Sequence, residues 1–411
     1  MGHLNSQKGI MILGAGVMQI PMIMKARDLG LFVIASDMDP NAPGFKIADY
    51  ALKLDTRNAR GHIAFALANR ERFNIRGVVA GADVALTAAM VSEALGFPGI
   101  PVEVALRSNN KWLMKKRWLK DGIPTPYAEE VSTLPEALKA VRKVGLPCMV
   151  KAIDNAASRG SRRIGSINEL EAALKDAREH STTKTALIEE YVKGTEQSVE
   201  MMVYNGMHLR FGIVDRHFGF DPFPIELGHT NPSRLAPDMQ ESLYGLVTRA
   251  AGSLGIDYGP YKADTILTKK GPMMLELPAR LSGGFHSQYT TPLSTGLEPQ
   301  IAAIAMAVGT EIPLEAIKTT HSRVAVCKAV FPRPGRVVKI RGFEEAKSLP
   351  GVEKIFMMVK EGTVVHEYRN CAHRVCYIIA TGDSFNEAEI NWTRASKKVE
   401  IITVVDYAAA L

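Results

Sequence analysis

The sequence predicts a mixed α/β and α+β chain in three parts: a parallel, doubly wound N-terminal sheet, a central α+β region, and a small β-rich C-terminal domain. Strand and helix patterns alternate through the first hundred residues. Hairpin signals, Asn205-Gly206 and Lys269-Lys270-Gly271-Pro272, mark the middle, and short strands with one or two helices fill the end. A chain of 411 residues exceeds one ordinary core, so roughly two to four domains are expected.

In the first part, Gly9–Leu13 reads as a buried strand entering Gly14-Ala15-Gly16-Val17-Met18-Gln19 and a helix to about Leu29. A strand over Leu31–Ala35 ends at Ser36-Asp37. The spacing from glycine loop to acid is that of the dinucleotide fingerprint, but Gln19 stands where the third glycine belongs. Further units follow at Tyr50–Leu54, Gly61–Arg72, Gly77–Ala80 and Val84–Leu95, and a ligand is expected at the carboxyl edge of this sheet, near Gly81-Ala82-Asp83.

In the middle, Ser108-Asn109-Asn110 caps a basic helix, Lys111–Lys120. A helix over Leu134–Val144 leads to the strand Cys148–Ala152, which carries Lys151 near its end, before Asn155-Ala156-Ala157-Ser158-Arg159-Gly160-Ser161. Small residues expose backbone N–H groups, and with fixed cations they make an anion cradle; an ordinary hairpin loop is the alternative. After a helix over Ile167–His180 come strands at Thr185–Val192, Gln197–Tyr204 and Met207–Val214. Residues 215–234, rich in Pro, Gly, His and aromatics, read as a long irregular binding lid.

The acidic strand Tyr261–Thr268 then turns at Lys269–Pro272 into Met273–Leu277. A hairpin centred near Lys270 sets Asp264 opposite Glu276. Opposed carboxylates repel, so the pair points to a cation held between them, unless it is a solvated surface hairpin. The C-terminal part shows strand patterns at Arg323–Phe331, Ile355–Val359 and Cys376–Ala380, with no obvious catalytic constellation.

Composition narrows the function. The net charge of +7 comes from scattered basic residues, which argues for small anionic ligands and against nucleic acid. No apolar run reaches membrane-span length and the N-terminus lacks a secretory core, so a cytoplasmic location is expected. Cys148, Cys327, Cys371 and Cys376 lack paired zinc spacing, even with His373 nearby, and read as reduced, mostly buried thiols.

The ordered run Asn110-Lys111, Gly122-Ile123-Pro124-Thr125-Pro126, Gly145-Leu146-Pro147…Val150-Lys151, Ser158-Arg159-Gly160, Glu189-Glu190-Tyr191-Val192…Gly194…Glu196, Asp264 and Glu276…Arg280 resembles the ATP-grasp superfamily. The resemblance spans about residues 9–380. Its carboxylate–amine ligases include biotin carboxylase, purine ligases and L-amino acid ligases. It implies a Rossmann-like domain at 1–107, an ATP-grasp domain at 108–311 with subdomains at 108–184 and 185–311, and a C-terminal domain at 312–411.

The resemblance also implies roles. Lys111 and Lys151 contact ATP phosphates, and Ser158, Arg159 and Gly160 bind the nucleotide with them. Glu189, Glu190, Tyr191 and Val192 form the strand that reads adenine, and Glu196 holds the ribose. Asp264 and Glu276 bind Mg²⁺ (or Mn²⁺), and Arg280 faces the transferred phosphoryl group. Position 278 departs from the pattern, because Pro278 stands where many members have a metal-binding asparagine. By analogy with amino-acid ligases, Glu226, His229 and Arg234 are candidates for the substrate or its amine, with Gly283 and Gly284 supplying backbone donors beside Arg280.

The implied activity is an ATP- and Mg²⁺-dependent ligase joining a carboxylate to an amine, or to a thiol, through an acylphosphate. Two alternatives are a purine-pathway formate or bicarbonate ligase and an NAD-binding oxidoreductase. Partners are expected to be small molecules, with no nucleic acid or membrane, and a homodimer is the default assembly.

Overall fold

The computed structural model describes residues 7–405. Four parallel strands form the N-terminal sheet in the order Tyr50–Lys53, Phe32–Asp37, Gly9–Leu13, Ile75–Ala80. Side chains alternate across its pleat. Ile10 and Ile12 pack with Met22, Ile23 and Ala26 of the helix Ile20–Asp28, whereas Met11 and Leu13 pack with Ala66, Val91 and Leu95 on the other face. The helix Pro299–Ala307 joins the first face. It lies so close to Gly77 that a Cβ there would sit 1.9 Å from the Ala307 carbonyl oxygen, so this glycine fixes how the sheet seats on the rest of the molecule.

The next unit is a four-stranded antiparallel sheet, ordered Ala128–Val131, Ala186–Glu190, Cys148–Ala152, Ser161–Ile164. The helices Leu134–Val144 and Leu170–Glu179 bury their apolar stripes against it. The capping box Thr133/Glu136 starts the first of them.

An eight-stranded antiparallel sheet forms the body. Its order is Gly271–Glu276, Gly259–Thr268, Thr195–Tyr204, Met207–Gly219, Ile225–Asn231, Val324–Val330, Cys376–Gly382, Val352–Met357. The last three strands come from the C-terminal part, which therefore completes the central sheet before adding a small sheet of Val364–Val365, Gly335–Arg341 and Glu400–Val404. The helix Pro237–Leu254 covers the body through Leu243, Val247, Ala250 and Leu254. Among the described residues no helix is long and apolar enough to cross a membrane.

One expected element is different. Residues 215–234 are not an irregular lid: the strand Met207–Gly219 continues through Asp215–Gly219, and Ile225–Asn231 pairs back onto it. Residues 220–224 form the turn, and residues 232–234 follow the second strand. The register shift between His217 and Phe218 breaks the period-2 pattern, and the scattered glycines and prolines obscure it further.

Candidate active site

Asp264 and Glu276 are register partners on neighbouring strands, but through a bulge: Thr268 pairs with Gly271 and Thr265 with Met274, a register that would place Leu275 opposite Asp264, and the shift between Asp264 and Thr265 brings Glu276 there instead. Two cavities meet at this pair. A cleft on one side is lined by Lys111, Lys151, Glu190, Tyr191, Val192 and Glu196, and also by Glu189. On the other side is a cavity of about 650 Å³, walled by the N-terminal sheet edge at Gly81–Asp83, by Gly283 and Gly284, and by the C-terminal segments around His366 and Tyr377. Arg216, Ala156, Ala157 and Ser158, with Asp264 and Glu276, line both and form the partition.

The cleft is built around Glu189, a side chain only 1% exposed. Its carboxylate lies 2.5 Å from Lys115 Nζ and accepts a hydrogen bond from Lys151. Burial pushes the Glu189 carboxyl up, but the two lysines outweigh this and hold it low; Lys151 is raised by the same contact against its own burial. Asn110 caps the helix Lys111–Lys120 by accepting from the backbone N–H groups of Trp112 and Leu113, each at 3.0 Å. That cap aims Lys111 across the cleft, where Nζ donates to the Asn155 carbonyl at 2.6 Å and lies 3.6 Å from Glu276. Glu196 is drawn toward Arg216 at 3.2 Å; burial dominates and pushes its carboxyl up to about 7.

Around the acidic pair, Lys262 Nζ is 2.5 Å from Asp264, and Arg216 reaches Glu196, Glu226 and Asp264 at 3.1–3.2 Å. Burial pushes Asp264 up, with Glu276 adding to it, whereas Lys111 and Lys262 overcome the burial of Glu276 and hold it down. Like charges this close split their titration. Asp264 Oδ1 is buried without a hydrogen-bond partner. An orphaned carboxylate oxygen facing a second carboxylate fits a hard divalent cation, which takes one or two carboxylates and completes its shell with phosphate oxygens. No group of three or more His, Cys, Asp or Glu side chains placed to hold a metal ion exists among the described residues. The carbonyl of Pro278 accepts from the backbone N–H groups of Lys262 and Arg280, and so fixes the bend that carries Arg280 into the large cavity.

Arg280 does not pair with Asp264 or Glu276. Its Nε donates to Asp83 at 2.7 Å, which ties the hairpin to the carboxyl edge of the N-terminal sheet. Glu226 and His229 line the large cavity on the strand Ile225–Asn231. Burial drives both His229 and the neighbouring His286 down to about 3, so they present neutral rings.

Three expected residues fall elsewhere. Arg234 is exposed and stacks on Phe385, 4.6 Å from its ring centre, outside both cavities. Gly160 is a packing residue, because a Cβ would sit 2.9 Å from His180 and 3.0 Å from Ala177. Arg159 opens into the large cavity and does not line the cleft. Ser158, by contrast, lines both and donates to the Pro224 carbonyl at 2.8 Å.

Lys262 and Arg216 were not legible as site residues. Lys262 had a usable signal, since it lies two positions before Asp264 on one strand and so shares its face. Arg216 was hidden in the stretch read as a lid.

Glu200 supports the site from below. It accepts from the backbone N–H of Ser282 at 2.7 Å and from the Ser287 hydroxyl, and so anchors the glycine loop and the π-helical turn His286–Thr290. Burial pushes its carboxyl up against these bonds. A raised native pKa costs stability once pH climbs past the unfolded-state value. Relative to wild type, Glu200→Gln should therefore gain melting temperature as pH rises above the ordinary glutamate value of about 4.3. In calorimetry, a difference that stays constant as pH rises contradicts this.

The N-terminal glycine loop is covered by a side chain of its own. The Gln19 side chain packs over Gly14 and Gly16, and its amide donates to the Gly81 carbonyl at 2.6 Å. Asp37 is engaged by the Ala15 N–H at 3.0 Å.

The fold is the ATP-grasp fold, and the chain carries an ATP-grasp domain. Residues 144–288 match the ATP-grasp domain, and residues 329–404 match the L-amino acid ligase C-terminal domain 2. The chain is similar to the crystal structure of L-amino acid ligase from Bacillus licheniformis, with a TM-score of 0.83 and 22% identity over 97% of this chain and 100% of that one. Phosphoribosylglycinamide synthetase from Anaerococcus prevotii superposes with a TM-score of 0.76 at 18% identity, covering 97% of this chain and 100% of that one. Formate-dependent phosphoribosylglycinamide formyltransferase from Saccharolobus solfataricus is 23% identical over 93% of this chain and 94% of its own length.

Proposed function

We propose that this enzyme joins a carboxylate to an amine at the expense of ATP, through an acylphosphate. The observation that carries this reading is the partition itself. A cleft with two lysines and a large substrate-sized cavity meet at one pair of opposed carboxylates. A substrate carboxylate in the large cavity can then lie in line with a terminal phosphate in the cleft, and no protein nucleophile is needed.

In this reading the backbone of Glu190–Val192 reads the adenine and Glu196 holds the ribose. Lys111 and Lys151 neutralise the phosphates. Asp264 and Glu276 would hold Mg²⁺ or Mn²⁺, which supplies further charge neutralisation on the phosphate oxygens when bound. Arg280, fixed by Asp83, orients the substrate carboxylate. A carboxylate oxygen attacks the γ-phosphorus, the bond to the β-phosphate oxygen breaks, and ADP departs. The amine then attacks the acyl carbon, the acyl–oxygen bond breaks, and phosphate leaves as the amine gives up a proton. Glu226, His229 and the backbone at Gly283 and Gly284 border the path of the amine.

The match of residues 329–404 to an L-amino acid ligase module, together with the Bacillus licheniformis likeness, favours amino acids as substrates. The similarity to the formyltransferase supports a second reading, formate or bicarbonate ligation with a ribonucleotide amine. Phosphate release from ATP, screened over amino-acid pairs and over formate or bicarbonate with phosphoribosyl amines, tests both. Release that requires one carboxylate and one amine together is the expected result. Release that ignores both substrates counts against ligation.

A further inference from the structure

We propose that Arg159 binds the acid group of the amine substrate, so that the acceptor is an amine bearing a carboxylate or a phosphate. This rests on the ligase reading above. Five lysine and arginine side chains line the large cavity: Arg159, Arg216, Lys262, Arg280 and Arg374. Four are committed. Arg216 holds Glu196, Glu226 and Asp264; Lys262 holds Asp264; Arg280 holds Asp83; and Arg374 donates to the carbonyls of Cys371 and Glu226 at 2.9 and 3.1 Å. The four lining carboxylates, Asp83, Glu226, Asp264 and Glu276, are all engaged by cations other than Arg159.

The Arg159 guanidinium is left over. It has no hydrogen bond or ion pair among the described residues, and its Nε is buried without a partner. A guanidinium is a five-donor fork matched to planar acids, and a buried donor with no acceptor is costly. The backbone that carries it is held in place. Ala157 and Ser158 adopt left-handed φ values of 57° and 58°, the Ala157 carbonyl accepts from the Cys371 N–H at 2.9 Å, and Ser158 is bonded to Pro224. Non-glycine residues keep such a conformation only when the surroundings impose it. Because Ala156–Ser158 also line the cleft, the acid group of the acceptor would be fixed one loop-width from the reacting phosphate.

The test compares wild type with Arg159→Gln and Arg159→Lys. The probes are the twenty L-amino acids against their α-amides, and O-phosphoethanolamine against ethanolamine. Wild type should favour one acid-bearing amine over its neutral counterpart, and which pair responds identifies carboxylate or phosphate. In Arg159→Gln the KM for that acceptor should rise roughly 10- to 100-fold, the worth of charge-assisted hydrogen bonds, with the KM for ATP unchanged and partial recovery in Arg159→Lys. A raised KM for ATP with an unchanged acceptor KM overturns the assignment, as does no change in either. Direct titration of the same probes reads Arg159 without turnover. A silent phosphate-release screen thus refutes ligation, whereas equal acceptor affinity in wild type and Arg159→Gln refutes this role.

Discussion

Phosphate release by Glu276→Ala is expected to fall at least about 10³-fold with every substrate pair, the scale of several kcal/mol of lost charge stabilisation at the transferred phosphoryl group. Glu276 sits at the end of its strand, half-buried, opposite another carboxylate. Its removal relieves that repulsion, and Lys111 and Lys262 keep other partners in the Asn155 carbonyl and Asp264. The ion pairs of Glu276 with Lys111 and Lys262 are lost, so the melting temperature should fall, but by less than in a variant of the fully buried Glu189. That combination separates loss of chemistry from loss of fold. Unchanged turnover in Glu276→Ala removes the acidic pair from the mechanism.

Glu189→Ala should show a different signature, a large loss of stability together with loss of nucleotide binding. Lys115 is 1% exposed, and its charge is balanced by Glu189 at 2.5 Å, with Thr125 Oγ1 as a further partner at 2.9 Å. Removing the acid leaves that ammonium buried, with Lys151 beside it. Breaking a buried pair from one side typically costs about 3–5 kcal/mol. A melting temperature lower by roughly 5 °C or more in calorimetry is the expected outcome. The neutral Glu189→Gln should lie between the two, since it keeps an acceptor but not the charge. A melting temperature equal to that of wild type in Glu189→Ala would show that the lysines find water or other acceptors, and the buried triad would not support the cleft.

Much of this site was legible because its key parts are local. The Lys269–Lys270 turn brings the two strands together, and a bulge between Asp264 and Thr265 completes the pairing of Asp264 with Glu276, both of them local features of one hairpin. Asn110 as a cap and Lys151 at a strand end are equally local. What the sequence hid are pairs of long separation. Arg280 and Asp83 lie 197 residues apart, and no pattern in either segment announces the other. The side-chain partner of Glu189 was equally hidden: strand alternation sends Glu189 inward and Glu190 outward, and the Lys115 that meets Glu189 lies far away in the sequence. The stretch at 215–234 failed for a different reason. Turn-forming residues dominate its composition, but neighbouring strands on both sides pull it into the sheet, where pairing overrides local preference.

The most direct test follows the oxygen. If the substrate carboxylate is phosphorylated before the amine attacks, a carboxylate labelled with ¹⁸O passes one labelled oxygen to the released phosphate in each turnover. Mass spectrometry of the phosphate, with ADP and amide product counted alongside, reads this at once. The account predicts labelled phosphate in equal amount with ADP and amide. Unlabelled phosphate, or AMP with pyrophosphate in place of ADP, contradicts it.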